Sequence, residues 1–565
     1  MFILCRALRF KIPKPALTLL LCCPLLAAQN PPLGQRTDND QRTNNDVKFK
    51  IAGTVVSSLT GAPLSKARVT LTDTADPRNT AFIITTENGR FTFAPHYGGK
   101  FALEGAKRGF LRAANEQHEQ FSTAIVTDTG FNTEDLVLRL TPMAQLSGKV
   151  IDETGDPVRN ANVTLYMEDH QDGLNHTVPA SSDSTDDQGY YEFSALPPAN
   201  YFVSVSAQPW YAVQSFPSTP RQNNLPPTVS PFLDVAYPTT FNHGATDSQS
   251  ATPIAVQGGD HLQVDVHLSP VPVIHLIFRA SGDEQQGIAS PMFEKRVFDS
   301  VESVNGYAGM RPLSPGVYEL TGIPAGKYLV RIRDPRSGQA GQSSEMSLVK
   351  DGQELDIAES VPSSSVKLTI KMPAREPQPK QLNIALQDSR MQSVAFKAVD
   401  PTGEVTFDDL AAGKYSILIF SPNKRYSVVR TVSSGVETLG HDLNATPGSA
   451  LSLTAFLAGG VVSVEGFVKH AGKPSSGVMV ALIPKDPQSH LDMFRRDQSD
   501  SDGSFLLRDV IPGAYTIIAV EDAWDFPWQQ PDALNRYIEH GQSLTVGELM
   551  TNSVHLPDPI EVQPH

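Results

Sequence analysis

Cysteine is nearly absent from this chain of 565 residues: there are three, and Cys5, Cys22 and Cys23 all lie in the first segment. Everything beyond residue 23 therefore has no disulfide, no thiolate metal site and no cysteine nucleophile, and must be held by burial and hydrogen bonding. Long apolar runs are missing as well, since nothing past residue 28 approaches the roughly 20 residues that a membrane-spanning helix needs. Positive charge is in deficit, with 46 Lys and Arg against 61 Asp and Glu. A net acidic chain repels nucleic acid and anionic lipid at long range, so neither is expected as a partner. Reaction signatures are absent too. None of the 14 histidines is followed three residues later by Glu, and there is no Gly-x-Ser-x-Gly elbow and no Gly-Lys-Ser/Thr phosphate loop. The sequence gives no catalytic residue, no cofactor site and no committed metal ligand, and the chain is read as a non-enzyme.

What is present begins with a leader. Arg6, Arg9, Lys11 and Lys14 precede an apolar run from Ala16 to Ala28 that ends in small residues, the order of a secretory signal peptide cleaved near Ala28. An uncleaved anchor would need a longer run. A lipoprotein would need a small residue before its cysteine, whereas Leu21 precedes Cys22 and Cys22 precedes Cys23. Residues 29–47 are polar and without periodicity, as in a flexible tether. The destination read from this is the periplasm, the cell surface or the extracellular space.

Beyond the tether one unit recurs. "DSDGSFLLRDVIPGAYTIIAV" at Asp500 has relatives in "TENGRFTFAPHYGGKFAL" at Thr86, "DDQGYYEFSALPPANYFVSV" at Asp186, "SPGVYELTGIPAGKYLVRI" at Ser314 and "DPTGEVTFDDLAAGKYSILIF" at Asp400. Each glycine is followed twelve residues later by an aromatic: Gly89/Phe101, Gly189/Tyr201, Gly316/Tyr328, Gly403/Tyr415 and Gly503/Tyr515. Phe505 and Leu507, like Phe91 and Phe93 or Tyr191 and Phe193, are two apart and so share one strand face, which is expected to be buried. The Asp/Gly turn before them and the Pro-Gly or Ala-Gly turn after them predict two reversals and a pair of antiparallel strands. Phe101 replaces the tyrosine once, so the recurring hydroxyl is read as a tyrosine-corner bond to the backbone and not as a catalytic group. Upstream, "IAGTVVSSLTGAPLSKARVTLTD", "LSGKVIDETGDPVRNANVTLY" and "VEGFVKHAGKPSSGVMVALIP" add a short strand, a Gly/Pro turn and an alternating strand carrying Val69 and Leu71, Val163 and Leu165, or Val478, Val480 and Leu482. Short strands separated by turn signals predict β-sandwiches. "VPVIHLIFRASGDEQQG" and "SVKLTIKMPAREPQPKQLNIALQ" are read as the opening strands of copies three and four, whose first halves are degraded.

The Gly-x-Val openings (Gly53, Gly148, Gly466), the Gly-x-Pro turns (Gly61 to Pro63, Gly155 to Pro157, Gly472 to Pro474) and the glycine-to-tyrosine unit resemble the carboxypeptidase regulatory-like domains. The resemblance implies transthyretin-like, seven-stranded Greek-key sandwiches, non-catalytic and often strung together in secreted bacterial proteins. Residues 235–270 also look like an extension found in many-copy members. The expected fold class is all-β, a tandem array of about five Greek-key sandwiches after a signal peptide. Its divisions are residues 1–28 (signal peptide), 29–47 (linker), 48–142, 143–270 with a loop insertion, 271–360, 361–446 and 447–558 (sandwiches one to five), and 559–565 (tail).

Three constellations stand out against this background. Gln498 to Asp509 overlays a calcium loop, with Asp500, Asp502 and Gly503 at ligand and turn positions, yet the same place reads "TENG", "LSPG" and "DPTG" elsewhere, so a turn is expected. His261, Asp265 and His267 alternate with Leu262, Val264, Val266 and Leu268, the pattern of a solvent-facing strand as well as of a metal site. Trp210, Tyr211, Trp524, Phe526, Trp528 and Tyr537 lie in loops beyond the hairpins, where they either stack on a ligand such as a sugar ring or cap the sandwich ends by burial. The expected function is a monomeric, elongated scaffold or binding protein whose partner is a glycan or an envelope or extracellular protein. The rival readings are a carbohydrate-binding protein that uses the loop aromatics and a cryptic hydrolase. Self-sealing isopeptide bonds would need a buried Lys, an Asn or Asp and a Glu, and no such triad can be assigned.

Overall fold

Five opening strands set the plan of the molecule: Ile51–Ser57, Ala144–Ile151, Val271–Arg279, Ser364–Lys371 and Val462–His470. The computed structural model describes residues 49–565 apart from 128–132, 171–174, 213–231, 280–289, 305–308, 334–339, 356–363, 374–375, 389–392, 411, 423, 434–435, 461, 488–489, 528–530 and 548–552. The leader, the tether and Trp528 lie outside the described residues. Each opening strand runs antiparallel to the strand after the Asp/Gly turn (Arg90–Phe93, Tyr190–Leu196, Val317–Pro324, Glu404–Leu410, Ser504–Val510). On its other side it runs parallel to a closing strand: Leu136–Leu140, His261–Gln263 with Val266–His267, Gln353–Leu355, Ala450–Gly459, and Val554–His555 with Ile560–Glu561. The facing sheet is built on a second antiparallel pair, as in Met479–Pro484 with Gly513–Val520. The third and fourth sandwiches share this connectivity with the others. The fold is all-β, and the single eight-residue α-helix among the described residues, Pro531–Ile538, is far too short to cross a membrane.

The two strands of the recurring unit do not pair with each other. Ser504–Val510 lies in the sheet of Val462–His470, whereas Gly513–Val520 lies in the facing sheet, and every other copy is arranged alike. The expected hairpin is an arch from one sheet to the other. A register shift before the arch, between Phe193 and Leu196 or opposite Val462 and Val464, and a left-handed residue such as Ala195 or Asp509 turn the chain out of its first sheet. The alternating residues of the two strands then meet across a core. Phe91, Phe93, Tyr191, Phe193, Phe505 and Leu507 are buried, and so are Val69, Leu71, Val163, Leu165, Val478, Val480 and Leu482 opposite them.

The turn glycines are fixed by the same geometry. Gly89, Gly189, Gly316, Gly403 and Gly503 all have positive φ, between 69° and 85°, and the Gly503 carbonyl accepts the Val468 N–H at 2.7 Å. The tyrosines fasten the arch: the hydroxyls of Tyr201, Tyr328 and Tyr515 donate to the carbonyls of Pro197, Pro324 and Ile511 at 2.8, 2.6 and 2.5 Å. Burial pushes the Tyr201 and Tyr328 hydroxyls up to about 12. The corner bond is therefore structural in each of these copies.

Three divisions read from the sequence need correction. Ala450–Gly459, placed at the head of the fifth sandwich, is the closing strand of the fourth. Ile560–Glu561, placed in a tail, pairs with Val462–His470, and Val562 enters the fifth core. Val235–Ala236, placed in the second sandwich, pairs with Val271–Arg279 of the third, while Thr240–Phe241 and Ile254–Val256 return to the second. A closing strand pairs with an opening strand 77 to 116 residues earlier, and a two-residue strand has no period, so neither marks its owner in the sequence.

Candidate functional site

The fifth sandwich differs from the others on its outside. Every residue of Met479–Pro484 is buried, because Val480 and Leu482 face the core while Met479, Ala481 and Ile483 face outward into a second apolar cluster with Ile518, Val520, Ala523, Trp524, Phe526, Leu534 and Tyr537. The loop after Gly513–Val520 and the helix Pro531–Ile538 supply this cover. Three of the six candidate ligand-stacking residues are thus interior: Trp524 keeps 6% of its surface, and Phe526 and Tyr537 pack edge to face at 5.4 Å. Of the two readings of these aromatics, stacking on a ligand and capping by burial, the structure gives burial for these three. The uninterrupted apolar run from Val478 to Ile483 was the signal for a sheet buried on both faces.

Trp524 does meet a partner, from the first sandwich of the same chain. The His118 ring stacks on its indole at 4.9 Å and 5°, and Phe121 lies 5.6 Å away. Around this stack Arg496 Nη2 donates to Glu119 Oε2 at 2.8 Å, with side chains only 6% and 14% exposed. Gln498 Nε2 donates to Thr123 Oγ1 (2.8 Å) and to the Glu116 carbonyl (2.6 Å). The turn Asp500 to Gly503 is the other half of the contact. Asp500 Oδ2 pairs with Lys100 Nζ at 2.7 Å, its Oδ1 accepts the Ala124 N–H at 2.9 Å, and Ser501 Oγ accepts the Val126 N–H at 2.8 Å. Burial holds the Asp500 carboxyl above its usual range, with Lys100 opposing the shift. Asp502 Oδ1 accepts the Ser504 N–H at 3.0 Å. The Asp500 and Asp502 carboxylates of the calcium-like stretch are therefore engaged with protein groups, as a turn requires. The expected elongated string is also corrected: these bonds bring the first sandwich against the fifth. Sequence reading missed Arg496, Glu119 and His118, and met Gln498 only as the start of the calcium-like stretch, because their partners lie more than 370 residues away and no local pattern links them.

The remaining candidates lie on the second sandwich. Trp210 is 87% exposed and sits edge-on to Tyr211 at 5.8 Å. Tyr211 and Tyr237 both donate their hydroxyls to Glu153, the latter at 2.9 Å, which anchors the base of the pair and leaves the indole in solvent. His261 and His267 are exposed while Val266 and Leu268 are buried, and Asp265 Oδ1 accepts the Lys149 N–H at 2.9 Å; this is the solvent-facing strand. Where the second sandwich meets the third, Phe298 inserts among Tyr166, Phe202 and Phe241, with ring centres 4.6–5.6 Å apart. Beside this contact a cleft of about 740 Å³ is lined by Gln208, Tyr237, Lys295, Asp299, Tyr328 and Glu345, among others, a size that suits a small ligand. Lys295 Nζ donates to the Thr246 carbonyl at 2.7 Å, and burial lowers its pKa against the pull of Asp247.

Comparison with known proteins gives two family matches. Residues 145–224 match the carboxypeptidase regulatory-like domain, and residues 457–540 match the second beta sandwich domain of the BOS complex subunit NOMO1-like family. No curated protein matches the chain. Among solved structures, the Bacillus anthracis TIE protein is similar at 10% identity over 74% of this chain and 76% of that one, with a TM-score of 0.16. A streptococcal ancillary pilin is similar at 12% identity over 51% and 100%, with a TM-score of 0.18. Two B repeat units of the collagen binding protein of Staphylococcus aureus are similar at 11% identity over 72% and 99%, with a TM-score of 0.12.

Proposed function

We propose that this chain, an all-β array in which residues 145–224 match the carboxypeptidase regulatory-like domain, is an exported, non-catalytic scaffold whose first and fifth modules are clasped together. The observation that carries this reading is the set of charged and aromatic side chains that join two modules far apart in the chain. Arg496, Glu119, Lys100, Asp500, His118 and Trp524 join the first sandwich to the fifth and so serve rigidity. The leader of residues 1–28 supports export. Small-angle scattering of the full chain tests the clasp. The parent is expected to give a compact particle, and Arg496→Ala combined with Trp524→Ala a larger radius of gyration, because the variant leaves Glu119 buried without its cation, a loss of roughly 3–5 kcal/mol. A parent that already scatters as an extended string, or a variant of unchanged dimension, would refute it.

A second reading, glycan binding, is favoured by one observation, the solvent-exposed indole of Trp210 on its Tyr211–Glu153 support. Aromatic faces in exposed loops suit sugar rings. Polysaccharide in an affinity gel is expected to retard the parent and not Trp210→Ala. Equal mobility of the two proteins in every polysaccharide removes this reading and leaves the scaffold standing.

A further inference from the structure

The contact between the fourth and fifth sandwiches holds a different chemistry. His441 precedes the strand Asp442–Ala445, and its carbonyl accepts the Ile417 N–H at 2.8 Å, which pins the residue to the neighbouring strand. His490 and Asp492 come from the short turn before Arg495–Gln498 in the fifth sandwich. That turn is closed by the Met493 N–H on the His490 carbonyl at 3.0 Å and by Arg495 Nη1 on the Asp492 carbonyl at 2.9 Å. One nitrogen or oxygen from each of the three side chains lies within 4.8 Å of the others. His441 keeps 5% of its surface, and its Nδ1 is 3.7 Å from Asp492 Oδ1. His441 Nδ1, His490 Nδ1 and Asp492 Oδ1 are all buried, and none has a hydrogen-bond partner.

Three buried polar atoms left unmatched at one point are costly, and a cation would satisfy all three together. We propose that His441, His490 and Asp492 bind a divalent transition-metal ion of the zinc class, with water at the fourth position. Two imidazoles and one carboxylate are borderline nitrogen and oxygen donors that suit zinc better than calcium or magnesium, which take oxygen. Ligands of a tetrahedral zinc stand about 3.4 Å apart for bonds of about 2.1 Å, so side-chain rotations of about 1 Å complete the site. The outer contacts agree. Ser427, wholly buried in the fourth sandwich, donates its hydroxyl to the second Asp492 oxygen. His441 Nε2 faces Asp442 Oδ1 at 3.7 Å, the carboxylate position that orients a metal-binding imidazole. The ion would bridge two modules and lock their angle. The sequence did not disclose this set, since its members belong to different sandwiches and show no ligand spacing.

The test uses the full chain with Cys5, Cys22 and Cys23 replaced by serine, stripped with EDTA and titrated with zinc chloride by calorimetry and against a chromophoric chelator. The parent is expected to bind one zinc per chain and to melt at a higher temperature with zinc than without. His441→Ala and Asp492→Asn are expected to lose that equivalent, and Ser427→Ala to bind about tenfold more weakly. The double variant His261→Ala/His267→Ala is expected to keep it. His490 is only half-buried, so His490→Gln serves as the mild variant, with an unchanged circular dichroism spectrum and no bound zinc. Failure of the parent to take up zinc, or uptake undiminished in both the His441 and His490 variants, would overturn the proposal.

Discussion

Gly472 and Gly503 share a φ of +78° and differ in what surrounds them. A Cβ on Gly503 would lie 2.5 Å from the Val468 carbonyl oxygen, whereas on Gly472 it would meet nothing within 4 Å. Gly472→Ala is expected to cost about 1–2 kcal/mol, the ordinary expense of a left-handed L-residue. Gly503→Ala adds a backbone clash and is expected to cost at least about 2 kcal/mol more. Urea unfolding of the two variants decides it, and equal midpoints would mean that the close approach is unimportant. Both glycines were legible in the sequence, as were the corner tyrosines, because a turn and a corner bond are satisfied within a few residues. Trp524, Phe526 and Tyr537 were legible only as aromatic. Nothing local states whether a loop ring faces water or another module, and among the described residues of the group Trp210 is the exposed one.

At the scale of the strand, Asp497 in Arg495–Gln498 joins the two sheets of the fifth sandwich, its Oδ2 accepting the Leu506 N–H at 2.7 Å. Burial pushes its carboxyl up to about 6, against which that backbone bond and Lys100 pull. The folded chain therefore holds this proton more tightly than the unfolded chain, where an Asp carboxyl titrates near 3.9. The contribution to stability is greatest below about pH 4 and is lost as pH rises through about 6, by on the order of 2–3 kcal/mol. Asp497→Asn, uncharged throughout and still an acceptor for Leu506, is expected to match the parent near pH 4 and to melt higher at pH 7.5. Melting curves that stay parallel between those values would contradict the assignment. The strands themselves were largely visible beforehand: alternation marked Val69, Val163 and Phe505 as interior, and Val271–Arg279 and Ser364–Lys371 open the third and fourth sandwiches as read. The sheet to which each strand belongs was not visible. A turn sequence specifies a change of direction, and the bulge and left-handed residue that make it an arch emerge only when a core exists on both sides.

For the whole molecule, the salt response separates the clasp from a weak surface contact. Arg496 and Glu119 are almost fully covered, and covered pairs are screened little by added salt, so the compact dimension of the parent is expected to persist at about 0.5 M salt. The −15 formal charge acts in the same direction, since screening weakens the mutual repulsion of acidic modules. A composition can be read for that repulsion, but the few bonds that overcome it are invisible in sequence, as they connect sites separated by nearly the full length of the array.

The joint between Lys100 and Asp500 spans 400 positions, and this gives it a place in time. A ribosome finishes the Lys100 side long before the Asp500 side exists, so every nascent or prematurely terminated copy carries Glu119, His118 and Phe121 without their counterparts. Only a chain read through to the fifth sandwich can cover them. The joint is thus a built-in sign that synthesis has passed the fifth sandwich, one that a chaperone or protease could sense as bare surface on shorter copies.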